Sequence, residues 1–369
     1  MQKSYPFYLK STVILFGLIL FVYALSNLKD IFVPLAFAML LAILLNPLQT
    51  WFRKRSVPQV WSIVLSLFIA IIVIAAVVYF LSSQFIHFGD QLPALKQKFA
   101  QLFTQFQQWL QENTMLNMQR QQKIIGDLKQ EVNPLIGQTL GTMVGTLSIV
   151  VLLPVYTFLF LYYKTLILNF LFEVFAEKNS KEVSTVLSET KKAVQSYMVG
   201  LLLEALIVAI LNILALWLLG VKYALLLGFM GALLNMIPYL GGIIAILLPV
   251  MIATVTKDGF NTQIGIVVAY SVIQFVDNHF IIPLVVSSKV RINAMISIVV
   301  VLLGNALWGI PGMFLSVPFT GVLKIIFDRV PDLKPWGRLL GDEIPVRHKG
   351  QRWFKNTRKK AAVTEKKSE

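Results

Sequence analysis

The sequence predicts an all-α polytopic membrane protein with about eight transmembrane crossings, including two long segments broken by Gly and Pro, plus an external amphipathic helical segment. Three observations carry that prediction. Of 369 residues, 57% are apolar and only 14% are charged, whereas soluble domains carry about 25% charged and about 45–50% apolar residues. The mean hydropathy is +0.72. The apolar residues also fall into runs that match the ~20 residues a helix needs to cross ~30 Å of hydrocarbon.

The elements follow in chain order. Lys3 and Lys10 precede an apolar run from about Ser11 to Leu25. Ala24-Leu25-Ser26 has the small-residue look of a signal-peptide cleavage site. A second run, Ile31 to Leu48, starts so soon after it that the two read as a hairpin of spans. Arg53-Lys54-Arg55 comes next; excess Lys/Arg beside a span marks the cytoplasmic side. With a third span from about Val60 to Leu81, residues 1–84 form three N-terminal transmembrane helices, and the N-terminus is predicted to be cytoplasmic.

Residues 85–143 change character. Leu92, Leu95, Phe99, Leu102, Phe103, Phe106 and Trp109 recur every three or four positions, which makes one apolar helical face. That stripe is expected to cover another helix or a neighbouring subunit outside the cytoplasm. Gly137, Gly141 and Gly145 stand four apart, a spacing that lets helix backbones approach closely. A transmembrane helix over 144–163 contains Pro154, and a cytoplasmic amphipathic segment covers 164–196.

The region 197–328 is the predicted transport core. After a span from about Tyr197 to Leu219, Ala224–Thr256 and Asn293–Asp328 would be straight rods of about 50 and 54 Å at 1.5 Å per residue, too long for one crossing. Each is interrupted midway, by Ile237-Pro238-Tyr239-Leu240-Gly241-Gly242 and by Gly309-Ile310-Pro311-Gly312. Either each is one bent crossing or each is a hairpin. The hairpin count also places Lys289 and Arg291 inside, as the charge rule prefers. Residues 329–369 form a basic cytoplasmic tail with twelve Lys/Arg against five Asp/Glu, within an overall charge of +15. Such a tail favours anionic lipid headgroups. No nucleic-acid-binding motif accompanies it, so no nucleic-acid partner is expected.

Several chemistries fall away. There is no cysteine, which removes disulfides and thiol nucleophiles. His87, His279 and His348 are too scattered to hold a metal alone. No GxxxxGK[ST], HExxH, GxSxG or CxxC occurs, so neither an enzyme, a cofactor nor a built-in ATPase is predicted.

What remains is polar chemistry at membrane depth. Irregular backbone survives there only inside protein or beside a water-filled cavity, and paired Gly/Pro breaks are the best sequence pointer to a substrate site in secondary transporters. Glu204 sits within an apolar run, where a charged group costs roughly 2.5–3.5 kcal/mol. Gln274, Asp277 and Asn278 share a helical face, with His279 and Pro283 following. Glu204, Asp277 and His279 are candidates for ion or proton coupling. Asn235 and Asn305 flank the breaks and offer neutral hydrogen bonds to a polyol. With Pro238, Tyr239, Gly241, Gly242, Gln274, Asn278, Pro283, Gly309, Pro311 and Gly312, they make up the predicted substrate pathway.

At these residues the chain resembles the autoinducer-2 exporter family, also described as PerM-type permeases. The resemblance rests on Ile237-Pro238-Tyr239-Leu240-Gly241-Gly242 with Pro249, on Asn278-His-Phe-Ile-Ile-Pro283, and on Leu307-Trp-Gly-Ile-Pro-Gly-Met-Phe-Leu-Ser-Val-Pro318. Pro154 with Phe158 and Tyr163-Lys164 is similar to the family's Pro-x-x-x-Phe span. The resemblance implies about eight crossings in the bacterial cytoplasmic membrane, a homo-oligomer, and export of small molecules. It also implies a competing reading, since some relatives are described as sodium(lithium)/proton antiporters. Asn235 stands where relatives often carry Glu, and Ala294 replaces a common Pro. Three functions are therefore carried forward: export of a small polar organic solute such as autoinducer-2, cation/proton antiport, and a non-transporting membrane scaffold.

Overall fold

Residues 6–89, 143–175, 180–237, 241–257, 259–286 and 292–342 are described by a computed structural model, with positions 97, 98, 101, 104, 105 and 108. The apolar stripe of 92–109, Gly137, Gly141, Pro238, Tyr239 and the tail beyond 342 lie outside the described residues.

The long apolar runs form helices, as their length and lack of turn residues dictate. α1 (Phe7–Asn27) and α2 (Lys29–Lys54) are joined at Leu28; α3 spans Gln59–Gly89. α1 shows its apolar side chains to the surroundings along its whole length and is pinned near its end by Trp308, whose Nε1 donates to the Leu25 carbonyl at 3.0 Å. α2 is the central rod. Ala36 and Leu40 on one side meet Val194, Met198 and Leu315, while Ala42 and Leu45 on the other meet Ile63, Leu67 and Leu161. Its small residues let neighbouring backbones come close without a hydrophobic driving force, which lipid cannot supply. Ser62 and Ser66, fully buried, hydrogen-bond the Gln59 and Ser62 carbonyls of their own helix at 2.7 Å, so no hydroxyl is stranded.

α4 (Met143–Tyr162) contains Pro154 and Gly145; α5 (Lys164–Phe175) leaves it at a bend of 62°. α6 runs unbroken over Ser180–Leu218, 39 residues or about 58 Å. The segment predicted over 164–196 and the span predicted from Tyr197 are thus partly one rod, long enough to project well beyond a bilayer. At its projecting end Glu189 pairs with Arg329.

Both Gly/Pro breaks fold back into hairpins. α7 (Ala224–Asn235) and α8 (Gly241–Thr256) pack against each other. A Cβ on Gly241 would lie 2.0 Å from the Leu234 carbonyl oxygen, and one on Gly231 would meet the Ala245 Cβ at 3.6 Å. α10 (Ala294–Trp308) and α11 (Ile310–Arg329) turn at Gly309, whose φ of +64° only glycine adopts without strain. Past that turn Gly304 and Gly312 stand backbone to backbone, with a Gly312 Cβ only 1.9 Å from the Gly304 carbonyl oxygen. Residues eight apart in one continuous helix would be about 12 Å apart.

α9 (Asn261–Val276) continues as a wider π-helix over Asp277–Val286 with Pro283 inside. Pro283 has no N–H and would collide with a carbonyl one turn back in an α-helix, which gives a local reason for the widening. The chain ends its described part in α12 (Lys334–Leu340), tied to the start of α10 by Asn293: its Oδ1 accepts from the Ile296 N–H at 2.8 Å and its Nδ2 donates to the Leu339 carbonyl at 2.8 Å.

Among the described residues, six helices are long and apolar enough to cross a membrane, or seven with the bent α4–α5 pair. α7, α8 and α10, with 12, 16 and 15 residues, reach only about 18, 24 and 22 Å. The expected count of eight therefore depends on how half-length helices are paired.

The glycine contacts are directly testable. Gly312→Val should destabilise the purified protein by about 1–3 kcal/mol through overpacking, read as a lower Tm, whereas Gly17→Leu, with open space around it, should leave Tm unchanged. An unaltered Tm for Gly312→Val would contradict the close hairpin.

Candidate functional site

A cleft of about 890 Å³ opens between α6, the tip of the α7–α8 hairpin, the α9–π-helix junction and the arms of α10–α11. Its walls are mostly apolar, with Leu201, Ile246, Phe275, Ile282 and Val317. Among the described residues, nine polar side chains also line it, and convergent polar groups in a cleft are a feature of sites that bind small molecules.

Asp277 is the most enclosed of them, 1% exposed. Its Oδ2 accepts a hydrogen bond from Asn235 Nδ2 at 2.9 Å, while its Oδ1 has no partner among the described residues. A buried oxygen left unpaired costs about 1–3 kcal/mol, more when it is charged, so this position calls for a proton, a cation, water or a solute hydroxyl. Glu204, also buried, reaches the same cleft from α6 and interacts electrostatically with Asp277.

The break between α7 and α8 is packed against this group. A Cβ on Gly242 would stand 2.3 Å from Gln274 Oε1 and 3.5 Å from Asn235 Oδ1. Only a residue without a side chain lets the Gln274 amide lie on the hairpin backbone. Asn278 follows Gln274 by one turn, their amides 3.4 Å apart. His279 stacks on Phe275, ring centroids 4.3 Å apart, and its Nδ1 donates to the Phe275 carbonyl at 2.9 Å.

The structure thus gathers Asn235, Gly242, Gln274, Asn278, Glu204, Asp277 and His279 of the predicted residues into one cleft. Gly241 is buried at the hairpin turn and Pro283 is exposed on the π-helix. The second break stands apart: Asn305 is exposed, and Gly309, Pro311 and Gly312 build the α10–α11 turn rather than the cleft wall. The second hairpin contributes through its arms instead, with Ser297 and Val317.

Sequence reasoning missed Tyr197, Ser271 and Ser297, all of which line the cleft. Ser271 precedes Gln274 by three residues and Tyr197 precedes Glu204 by seven, so helical spacing was the available signal. Nothing local marks Ser297. Also missed is a deeper polar line. Asn212, Tyr270 and Gln263 are buried, and Asn212 Oδ1, Tyr270 Oη and Gln263 Oε1 lack partners among the described residues. Gly231 makes room for the Asn212 amide and the Tyr270 hydroxyl, 3.2 and 3.4 Å from where its Cβ would be.

Residues 11–332 match the model of the family described as AI-2E family transporter. YhhT of Escherichia coli (strain K12), named as a transport protein, is 27% identical over 317 residues, covering 86% of this chain and 89% of that one. YrrI of Bacillus subtilis (strain 168), also named as a transport protein, is 29% identical over 146 residues, 40% of this chain and 41% of its own. PerM of Escherichia coli (strain K12), named as a permease, is 27% identical over 220 residues, 58% of this chain and 60% of its own. Helical hairpins around a polar cleft, together with a family match spanning most of the chain, lead to one assignment: the chain belongs to the AI-2E family of transporters.

Proposed function

We propose that the protein is a secondary transporter that exports a small polyhydroxylated solute, autoinducer-2 being the first candidate, through the cleft at the α7–α8 break. The observation that carries this reading is the set of neutral amides, Asn235, Gln274 and Asn278, lining one cleft with Asp277, whose Oδ1 has no partner among the described residues. Amides both donate and accept, which suits hydroxyl-rich solutes. The polar line of Asp277, Tyr270 and Gln263, spaced seven residues apart along one face of α9, supports a path continuing between α6 and α9. The setting is the bacterial cytoplasmic membrane, with both termini inside as the basic clusters favour, and the working unit is a homo-oligomer as the family resemblance implies.

The second reading, sodium(lithium)/proton antiport, is favoured by one observation: Glu204, Asp277 and His279 line the same cleft. Transport assays in everted vesicles separate the two. Asp277→Asn should leave organic-solute flux largely intact while keeping an acceptor for Asn235. Sodium-dependent proton movement abolished by that change, with no solute flux in the unaltered protein, would establish antiport instead.

The site itself has two further tests. Gln274→Leu should raise the KM for solute about tenfold through loss of an amide hydrogen bond to the solute in the cleft. Gly242→Leu, forced against the Gln274 amide, should abolish flux while the protein still reaches the membrane. Wild-type flux in both variants would remove the cleft from the path.

A further inference from the structure

A second polar site lies away from this cleft, at the end of the bundle where the α2–α3 turn meets the α4–α5 bend. Two hollows of about 420 and 390 Å³ flank the last turns of α2 and share Thr50 and Lys54 in their walls. The larger holds Arg53 and Lys164, and the smaller holds Lys191. Four cations line the pair, and among the described residues no acidic side chain does.

Elsewhere among the described residues, cations do meet acidic partners. At the far end of α11, by contrast, Arg329 and Lys324 are matched by Glu189 and Asp328. Among the described residues Lys164 finds only a neutral partner, the Asn46 amide oxygen, to which its Nζ donates at 2.8 Å. Partial burial of its ammonium end, together with the Lys191 and Arg53 charges, holds Lys164 below the ordinary lysine value. Cations crowded without a counter-charge destabilise one another unless an anion joins them.

The other walls suit an anion as well. Asn46 and Gln49, 6% and 5% exposed, present buried amides. With its oxygen taken by Lys164, Asn46 has its amide N–H groups left to donate. Gln59 opens α3 and Lys164 opens α5, so the positive ends of two helix dipoles also meet the larger hollow. Exposed Trp51, Trp61, Tyr162 and Tyr163 surround the region, and such aromatics mark the depth of lipid headgroups.

We propose that these hollows form an anion site for a phosphate group, presented by a phospholipid headgroup or by a free phosphate. Thermal unfolding of the purified full-length protein reads its occupancy. The probes are dimyristoylphosphatidylglycerol, dimyristoylphosphatidylcholine and inorganic phosphate, each added in titration. Phosphatidylglycerol should raise Tm at about tenfold lower concentration than phosphatidylcholine.

The paired change Lys164→Gln and Lys191→Gln should erase that preference. Lys164→Arg with Lys191→Arg should retain it, and the distant pair Lys29→Gln with Lys181→Gln should not affect it. Should the paired glutamine protein fail to fold, Arg53→Gln, on an exposed side chain, gives the same reading. Inorganic phosphate that raises Tm and competes with phosphatidylglycerol identifies free phosphate as an occupant; no effect of inorganic phosphate assigns the site to lipid. Equal titrations by the two lipids with no effect of phosphate, or a preference that survives loss of Lys164 and Lys191, would overturn the proposal.

Discussion

In hydrocarbon, a main chain that stops being helical has no water to take up its N–H and C=O groups. That constraint governs the C-terminal half of this protein. Both interruptions, at Ile237–Gly242 and at Gly309–Gly312, are resolved in one way: the chain reverses and the two arms pack against each other. The reversal demands glycine where the arms touch, because the contacts at Gly241, Gly304 and Gly312 leave no room for a side chain. α7, α8 and α10 are each too short to span a bilayer alone, whereas α11 is long enough. At the first tip, polar side chains from α6 and the α9–π-helix junction converge on Asn235 and Gly242.

The two hairpins share a construction and divide the labour. At the first, the turn carries Asn235 and Gly242 directly against Asp277 and Gln274. At the second, the turn is closed by backbone packing, and Trp308 beside it anchors α1 through Leu25. The π-helical stretch after Asp277 fits the same logic. Widening the helix at Asp277–Val286 changes the direction in which successive side chains leave the axis, and such distortions recur at functional sites. It places buried Asp277 and exposed His279 on the rim of one cleft, which a regular α-helix with Pro283 inside would not maintain.

Much of this was legible in the sequence, for physical reasons. Apolar runs of bilayer length have few alternatives to helix, so the spans were clear. Polar residues in such runs are expensive, so Glu204, Asp277 and Gln274 stood out and proved to share a cleft. Asn305 stood out by the same rule and does not join them, because proximity to a break says nothing about which way a hairpin's face turns. The continuity of α6 was hidden too: mixed charge over 180–196 reads as a surface segment, and only tertiary contacts such as Glu189 with Arg329 show it as the extension of a buried rod.

The buried orphans make the strongest case that the α6–α9 seam is more than packing. Two helices meeting in lipid need only small and aliphatic residues at their contact, and where polar groups are buried elsewhere in the bundle some are satisfied, as Asn46 Oδ1 on α2 is by Lys164. Along α6 and α9 the pattern differs. Asn212, Gln263, Tyr270 and Asp277 are each buried with an unpaired polar atom, and each such atom carries a desolvation penalty of about 1–3 kcal/mol. The hydroxyls buried at Ser62, Ser66 and Thr157 carry none, since each bonds a carbonyl of its own helix. Among the described residues, then, the open polar atoms fall on α6, on α9 and on the first residue of the π-helix, and partners from outside these side chains would satisfy them. A polar solute or the water that accompanies it has the required chemistry, and lipid and aliphatic side chains do not.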